Sequence, residues 1–215
     1  MMEWSAAILL TIALMIVACP AAQAQEDATI VDEWASVEIP PPPELVPVTV
    51  SASRTALLVL DIQNQNCSEE SRPRCVATLP GIVRLLEQCR AAGMPVVYSL
   101  TSNATAADIR TEVAPREDDP IVASSVDKFY GTELEAILRA GPVEAVIIVG
   151  TSAHGAVLNT ATGAALRGFE VIVPVDGMSA NEAYAEQYTA WHLANSPGTR
   201  NRAKLTKISL VTIEP

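Results

Sequence analysis

The stretch EAVIIVGTSAHGAVLNTATGAALRGFEVIVPVD, residues 144–176, contains a complete strand, turn, helix and strand pattern. A run of branched apolar residues leads to Gly150, an alanine-rich segment follows, and a second branched run begins at Phe169. Continuous apolar runs of this length are typical of strands buried on both faces, and a helix joins two such strands when they are parallel. The stretch therefore predicts an α/β fold with a parallel sheet.

The same alternation extends over most of the 215 residues. Strands are predicted at 55–62, 94–100, 144–150, 169–176 and 207–213, with a short element near 121–124. Helices are predicted at 78–93, 132–141, 156–168 and 181–195. This pattern indicates one α/β domain over residues 54–215, with a mainly parallel sheet covered by helices on both faces. The formal net charge of −11 argues against a nucleic-acid partner, which needs a basic surface.

The N-terminal region predicts export. Residues 1–24 have the form of a signal peptide, with an apolar stretch over 6–18 that is too short to span a bilayer and a small-residue cleavage site at 22–24. The product is expected to be periplasmic or secreted and free of the membrane, unless a lipoprotein form is anchored through Cys19. Residues 25–53 form a proline-rich arm, since the four prolines at 40–43 suit neither a helix nor a central strand.

Export changes the interpretation of the cysteines. Cys67 and Cys75 enclose a short polar stretch and are predicted to form a disulfide in an oxidising compartment. An alternative is that Cys67, close behind Asp61, acts as a displaced nucleophile. Cys89 lies in a predicted helix and is expected to be a small buried hydrophobic residue.

The carboxyl ends of parallel strands are where active sites form in such sheets. Asp61 follows five apolar residues at the end of the first predicted strand, and the turn from Gly150 to Ala156 follows a later one. A carboxylate at that depth is unusual for a residue that only turns the chain. Asp61 is therefore a candidate catalytic acid or base.

Three segments carry a family resemblance: LLVLDIQNQ (57–65), DKFYGTELEAIL (127–138) and the stretch at 146–176. They resemble the isochorismatase-like hydrolase superfamily, which includes nicotinamidases and related amidohydrolases. The resemblance implies a three-layer α/β/α sandwich, a Rossmann-like six-stranded sheet and a homo-oligomer. In the cysteine-hydrolase branch it also implies an Asp–Lys–Cys triad, with a cis peptide bond beside the cysteine.

Carried over residue by residue, the resemblance assigns the family aspartate to Asp61, the lysine to Lys128 and the cysteine position to Ala156. The nucleophile is missing, so a covalent thioester mechanism is in doubt. True isochorismatases resemble this turn in having an Ala-His pair, here Ala153 and His154, shortly before a small residue. In those enzymes the aspartate is thought to protonate a vinyl ether, and water completes the cleavage.

These features predict an exported hydrolase that acts on a small amide-like, carboxylate-bearing or vinyl ether molecule by Asp/Lys acid–base chemistry. Substrate contacts are expected from Gln63, Thr151, Ser152, His154 and Gly155. No metal or other cofactor is expected, since the chain has only two histidines and they are not paired.

Two alternatives remain open. A serine triad of Ser152, Asp176 and His192 would follow the chain order of α/β-hydrolases, although the turn lacks the final glycine of their nucleophile motif. The other alternative is a catalytically inactive member of the same fold that binds a small molecule or a protein.

Overall fold

A computed structural model describes residues 28–215; the predicted signal peptide (1–24) and Cys19 lie outside the described residues. The chain divides into two compact units after Ile39. The described part of the first unit holds a short helix α1 (Ile30–Glu33) and a 3₁₀ turn (Trp34–Ser36). The backbone N–H and the hydroxyl of Thr29 both donate to Asp32 Oδ2, at 2.9 and 2.8 Å, so a capping box starts α1.

The second unit, residues 40–215, contains nine strands and four further helices. The strands are β1 (Val48–Ser51), β2 (Thr55–Leu60), β3 (Val96–Leu100), β4 (Ile121–Ala123), β5 (Ala145–Thr151), β6 (Glu170–Pro174), β7 (Met178–Ser179), β8 (Ala203–Thr206) and β9 (Val211–Glu214). The helices are α2 (Pro73–Ala91), α3 (Leu134–Arg139), α4 (Leu158–Leu166) and α5 (Ala183–Asn195). A π-helical turn (Ala153–Val157) comes directly before α4.

The central sheet is parallel throughout, with the strand order β4-β3-β2-β5-β6-β8, and β7 pairs with the end of β5. The α/β fold predicted from the sequence is confirmed, but the sheet has seven strands rather than six. The additional strand arises because β6 pairs only with residues 145–147 of β5. Met178 and Ser179 cover the remaining edge by pairing with Gly150 and Thr151.

The core lies on both faces of this sheet. Every residue of β2 is buried, as expected for a strand at the centre of a parallel sheet. Leu58 and Leu60 join the apolar cluster on one face, whereas Leu57 and Val59 join the cluster on the other. This alternation places helices on both sides of the sheet, which gives the three-layer arrangement.

The last predicted strand, at 207–213, is wrong in position. The edge strand of the central sheet is β8 at 203–206, and β9 instead pairs in parallel with β1 in a separate two-stranded sheet. β8 was missed because it is short and, like many edge strands, carries polar side chains such as Lys204. The stretch at 207–213 has the stronger branched apolar character, yet a 3₁₀ turn over 208–210 interrupts it.

Residues 40–53, part of the predicted arm, belong to the same compact unit as the sheet. The Val46 N–H donates to the Leu205 carbonyl at 3.0 Å, and Val48 and Val50 are buried in the core. Gln187 Nε2 in α5 donates to the Pro40 carbonyl at 2.9 Å. Within residues 28–215, no helix is both long and apolar enough to cross a membrane.

Candidate functional site

A cleft of about 380 Å³ opens at the carboxyl edge of the central sheet. It lies where β2, β3, β4 and β5 end, which is the expected location for a ligand site in a parallel sheet. Its volume suits a small molecule. Ten of its residues are polar or charged, two are apolar, and together they are Asp61, Asn66, Arg72, Thr101, Ser102, Asn103, Ser124, Ser125, Val126, Thr151, Ser152 and Ala156.

Asp61 lies at the inner end of this cleft, directly after β2. Its φ of +51° is in the left-handed region, which is rare for a residue other than glycine and is found preferentially at functional sites. The Ser99 hydroxyl donates to Asp61 Oδ1 at 2.7 Å, and the Asp61 N–H donates to the Ser99 carbonyl at 3.3 Å. The side chain is therefore held in one orientation by the neighbouring strand β3.

Lys128 meets Asp61 from the segment that precedes α3. Its Nζ lies 2.9 Å from Asp61 Oδ2, and the side chain is completely buried. Nζ also donates to the carbonyls of Ser124 and Ser125, at 3.0 and 2.6 Å. These contacts compensate a buried ammonium group for the water it has lost, so Lys128 is fixed as the cation beside Asp61.

The Asp61 carboxyl is shifted toward its neutral form. Burial raises its pKa above the ordinary value of 3.8, while the charge of Lys128 and the hydrogen bonds from Lys128 and Ser99 oppose the shift. A raised pKa lets a carboxyl group donate a proton at a pH where an ordinary carboxylate cannot.

The turn after β5 forms the opposite wall of the cleft. Gly150 has a φ of +134°, and a Cβ atom there would lie 2.1 Å from the Leu60 carbonyl oxygen, so only glycine allows β5 this close to β2. The peptide bond between Thr151 and Ser152 is cis. Thr151, Ser152 and Ala156 line the cleft, and Ala156 lies in the first helical turn that leads into α4.

The structure brings together Asp61, Lys128, Thr151, Ser152 and Ala156, but it places three other predicted residues away from the cleft lining. His154 is exposed to solvent, since it lies on the other side of the helical turn from the buried residues Ala153 and Ala156. Gly155 packs against Ser152, where a Cβ atom would lie 2.5 Å from Oγ.

Gln63 is fully buried behind the cleft rather than in its lining. Its Oε1 accepts from Asn66 Nδ2 at 3.0 Å and from the Thr101 N–H at 3.2 Å. Because Asn66 and Thr101 both line the cleft, Gln63 positions the residues that a ligand would contact.

Arg72 lines the cleft and was missed by the sequence analysis. It lies between Cys67 and Cys75, which form a disulfide with an S–S distance of 2.03 Å, as the sequence predicts. The bonded Cys67 is therefore not a nucleophile. In the sequence, an arginine in a polar loop cannot be distinguished from a solvated surface charge. The only local signal is Pro73, which follows Arg72 and occupies the first position of α2, where proline is common.

The serine-triad alternative is not supported. The Asp176 carboxylate accepts the Ile208 N–H at 2.9 Å, which ties two loops together as structural aspartates do. His192 contacts Tyr188 within α5, with Nδ1 3.4 Å from the phenol oxygen. Among the described hydrogen bonds, neither residue contacts Ser152.

Comparisons with known proteins agree with this geometry. A family model described as the isochorismatase domain matches residues 55–201. The secreted isochorismatase effector Isc1 of Verticillium dahliae is 30% identical over 144 residues, which cover 61% of this chain and 76% of that protein. The N-carbamoylsarcosine amidase of an Arthrobacter species is 23% identical over 177 residues, which cover 68% of this chain and 67% of that protein.

Solved structures show the same fold. An isochorismatase-like hydrolase from Alkaliphilus metalliredigens superimposes with a TM-score of 0.66 at 21% identity, over 73% of this chain and 95% of that one. A nicotinamidase from Staphylococcus aureus superimposes with a TM-score of 0.63 at 20% identity, over 72% of this chain and 99% of that one. The family model covers most of the chain, and the chain is accordingly a member of the isochorismatase family of hydrolases.

Proposed function

We propose that this protein is an exported hydrolase that cleaves a small amide-like, carboxylate-bearing or vinyl ether molecule without a cysteine nucleophile. Asp61 is the acid and base, and Lys128 is its electrostatic partner. The observation that carries the proposal is the buried Asp61–Lys128 ion pair at the inner end of a polar cleft.

Asp61 supplies a proton and then recovers one. With a vinyl ether, the protonated carboxyl gives its proton to the terminal carbon, water adds to the resulting cation, and the carboxylate takes the proton that this water loses. The hemiketal then breaks its bond to the leaving oxygen, which takes the hydroxyl proton, and a carbonyl product and an alcohol are released. With an amide, the carboxylate takes a proton from the attacking water and returns it to the leaving nitrogen. Either sequence consumes one water and restores Asp61, so no group at position 156 has to attack.

Lys128 provides the positive charge beside Asp61. Its ammonium group stabilises the Asp61 carboxylate after proton donation, and its bonds to the Ser124 and Ser125 carbonyls keep it beside Oδ2. Since the family cysteine position is assigned to Ala156 from the resemblance alone, the absence of a covalent intermediate is part of the proposal.

Export is supported by three observations. The secreted Verticillium protein is a relative, the Cys67–Cys75 disulfide is of the kind that persists in oxidising compartments, and residues 1–24 have the form of a signal peptide. Five further points remain predictions: a periplasmic or secreted location, the lipoprotein alternative at Cys19, homo-oligomerisation, independence from metals and the domain boundary at 53/54.

The proposal is tested by screening the protein against small amides, carbamates and vinyl ethers, together with Asp61→Asn and Asp118→Asn. The wild type should turn over at least one substrate, and Asp61→Asn should lose roughly 10²- to 10⁴-fold in rate. Asp118 is exposed and outside the cleft, so Asp118→Asn should be unaffected. A circular dichroism melt shows whether Asp61→Asn is folded.

The competing function is ligand binding without turnover, which the missing nucleophile favours. Equilibrium titration with the same panel distinguishes the two. Binding without turnover by the wild type would replace the hydrolase proposal, and full activity in Asp61→Asn would remove Asp61 from the mechanism.

A further inference from the structure

The cleft contains a cation that no acidic side chain neutralises. Arg72 lines it, yet across residues 28–215 none of the ion pairs includes its guanidinium group. An arginine side chain stays protonated in proteins, and a partly buried charge without a counter-ion has lost water without gaining an opposite charge. This position is therefore suited to bind an anion.

The guanidinium group is held in place by neutral hydrogen bonds. Nε donates to Asn181 Oδ1, and a terminal nitrogen donates to Thr151 Oγ1, both at 2.7 Å. The Thr151 hydroxyl in turn donates to the Ser179 carbonyl at 3.1 Å. These contacts fix Arg72 against the turn after β5 and leave its charge uncompensated, since Asn181 and Thr151 are both neutral.

The charges of the site add up to a positive cleft. When Asp61 is ionised, its carboxylate and the Lys128 ammonium cancel each other, and Arg72 contributes one net positive charge. When Asp61 is protonated, the cleft is more positive still. The remaining lining consists mainly of hydroxyl and amide side chains. The chain as a whole has a net charge of −11 and repels anions. Attraction of an anion to this cleft would therefore come from the local charge of Arg72.

The backbone of Arg72 is also fixed before a ligand arrives. The Cys67–Cys75 disulfide closes the loop around it, and the Arg72 N–H donates to the Ser68 carbonyl at 2.8 Å. Arg110 donates to the Cys67 carbonyl at 3.1 Å on the other side of the loop. A residue ordered in advance loses less conformational entropy when it binds, so the loop favours Arg72 as a ligand contact.

We propose that Arg72 binds the carboxylate group of the substrate and thereby selects small carboxylate anions over their neutral analogues. The arginine lies on the disulfide loop, and Asp61 lies in the same cleft, where it would face the bond to be cleaved. This inference rests on the proposed function for the reaction that follows binding, but the binding itself requires no turnover.

The test is an equilibrium titration with two probes of similar size and shape, the anion N-acetylglycine and the neutral N-acetylglycinamide. The wild type should bind the anion roughly tenfold or more tightly than the neutral amide. Arg72→Met should remove that preference by weakening only the anion, and Arg72→Lys should retain part of it, because lysine keeps the charge without the planar fork. Arg84→Met is the matched control, since Arg84 is an exposed arginine on α2 outside the cleft.

Equal affinity for the two probes, no measurable binding of N-acetylglycine, or an unchanged anion affinity in folded Arg72→Met would each overturn the inference. If Arg72 had a purely structural role, Arg72→Met would keep its affinity for N-acetylglycine and would have a lower melting temperature than the wild type. The titration is repeated in Asp61→Asn, where anion binding should persist although turnover is lost. Failure of the hydrolase proposal is thus seen as missing turnover, and failure of this inference as missing charge selectivity.

Discussion

Lys128 Nζ lies 2.9 Å from Asp61 Oδ2, and this ion pair is buried where the central strands of the sheet end. The two residues are far apart in the sequence and reach each other only because β2 and the segment before α3 meet at one edge of the sheet. Burial nevertheless raises the pKa of the Asp61 carboxyl above 3.8. Burial of the carboxyl therefore couples the stability of the fold to pH.

The stability of the wild type relative to Asp61→Asn should decrease as the pH rises above 3.8. The raised pKa of Asp61 means that the folded state binds its proton more tightly than the unfolded state. The resulting stabilisation is complete below the unfolded pKa and is lost as the pH rises through the folded pKa. Urea denaturation of both proteins from about pH 4 to about pH 7 measures the difference. If the stability of the wild type relative to Asp61→Asn increased with pH, Lys128 would lower the pKa of Asp61 by more than burial raises it.

Ala156→Cys should create a reactive thiol in the cleft. Position 156 is also buried, but it lines the cleft and lies in the first turn of a helix, which lowers the pKa of a thiol. Cys89 lies in the core, where burial raises its pKa to about 12. Iodoacetamide should therefore alkylate position 156 faster than Cys89, as measured by peptide mass mapping, and Ala156→Ser is the control without a thiol. Alkylation no faster than at Cys89 would show that position 156 is not activated. A gain of amidase activity would show that the rest of the family site is intact.

Gly150→Ala should destabilise the protein by more than about 3 kcal/mol, because the new Cβ would overlap the Leu60 carbonyl and the backbone has a positive φ. Gly141→Ala is the matched control, since no atom lies within 4 Å of a Cβ there. The free energy of unfolding in urea compares the two variants. Equal stabilities would mean that β2 and β5 can separate to admit a side chain.

Replacing both Cys67 and Cys75 with serine should lower the free energy of unfolding by about 2–3 kcal/mol, because the disulfide restricts the unfolded chain. The carboxylate preference assigned to Arg72 should fall at the same time, since the loop is no longer closed. Denaturation and the two-probe titration measure these effects, and wild type treated with a reductant provides a comparison without mutation. An unchanged denaturation midpoint would show that the loop is held by its hydrogen bonds alone.

Much of the fold follows from local patterns. The branched apolar run of β2 predicts a buried central strand, and the alternation of strands and helices predicts a parallel sheet with two covered faces. The position of Asp61 after such a run predicts a functional carboxylate, because an unpaired charge at that depth is costly. These features depend on residues close together in the sequence, so they can be recognised without the structure.

Other features depend on contacts between distant segments. β9 resembles a sheet strand by composition but pairs with β1, and the edge strand β8 is polar enough to resemble a loop. Gln63 was expected to contact the ligand, yet it is buried one layer behind the cleft. Local sequence identifies the apolar central strands, but whether a polar edge segment forms a strand, and with which partner, depends on which edges remain free once the core has formed.

The sequence by itself determined the family pattern, the buried parallel strands and the disulfide cysteines, and through the resemblance it predicts an alanine at the position of the family nucleophile. Only the tertiary structure decided that Lys128 pairs with Asp61, that His154 faces solvent and that Arg72 lies in the cleft. The reason is physical: periodicity and turn chemistry act over a few neighbouring residues, whereas the charge of a cleft is the sum of side chains that separate segments bring together.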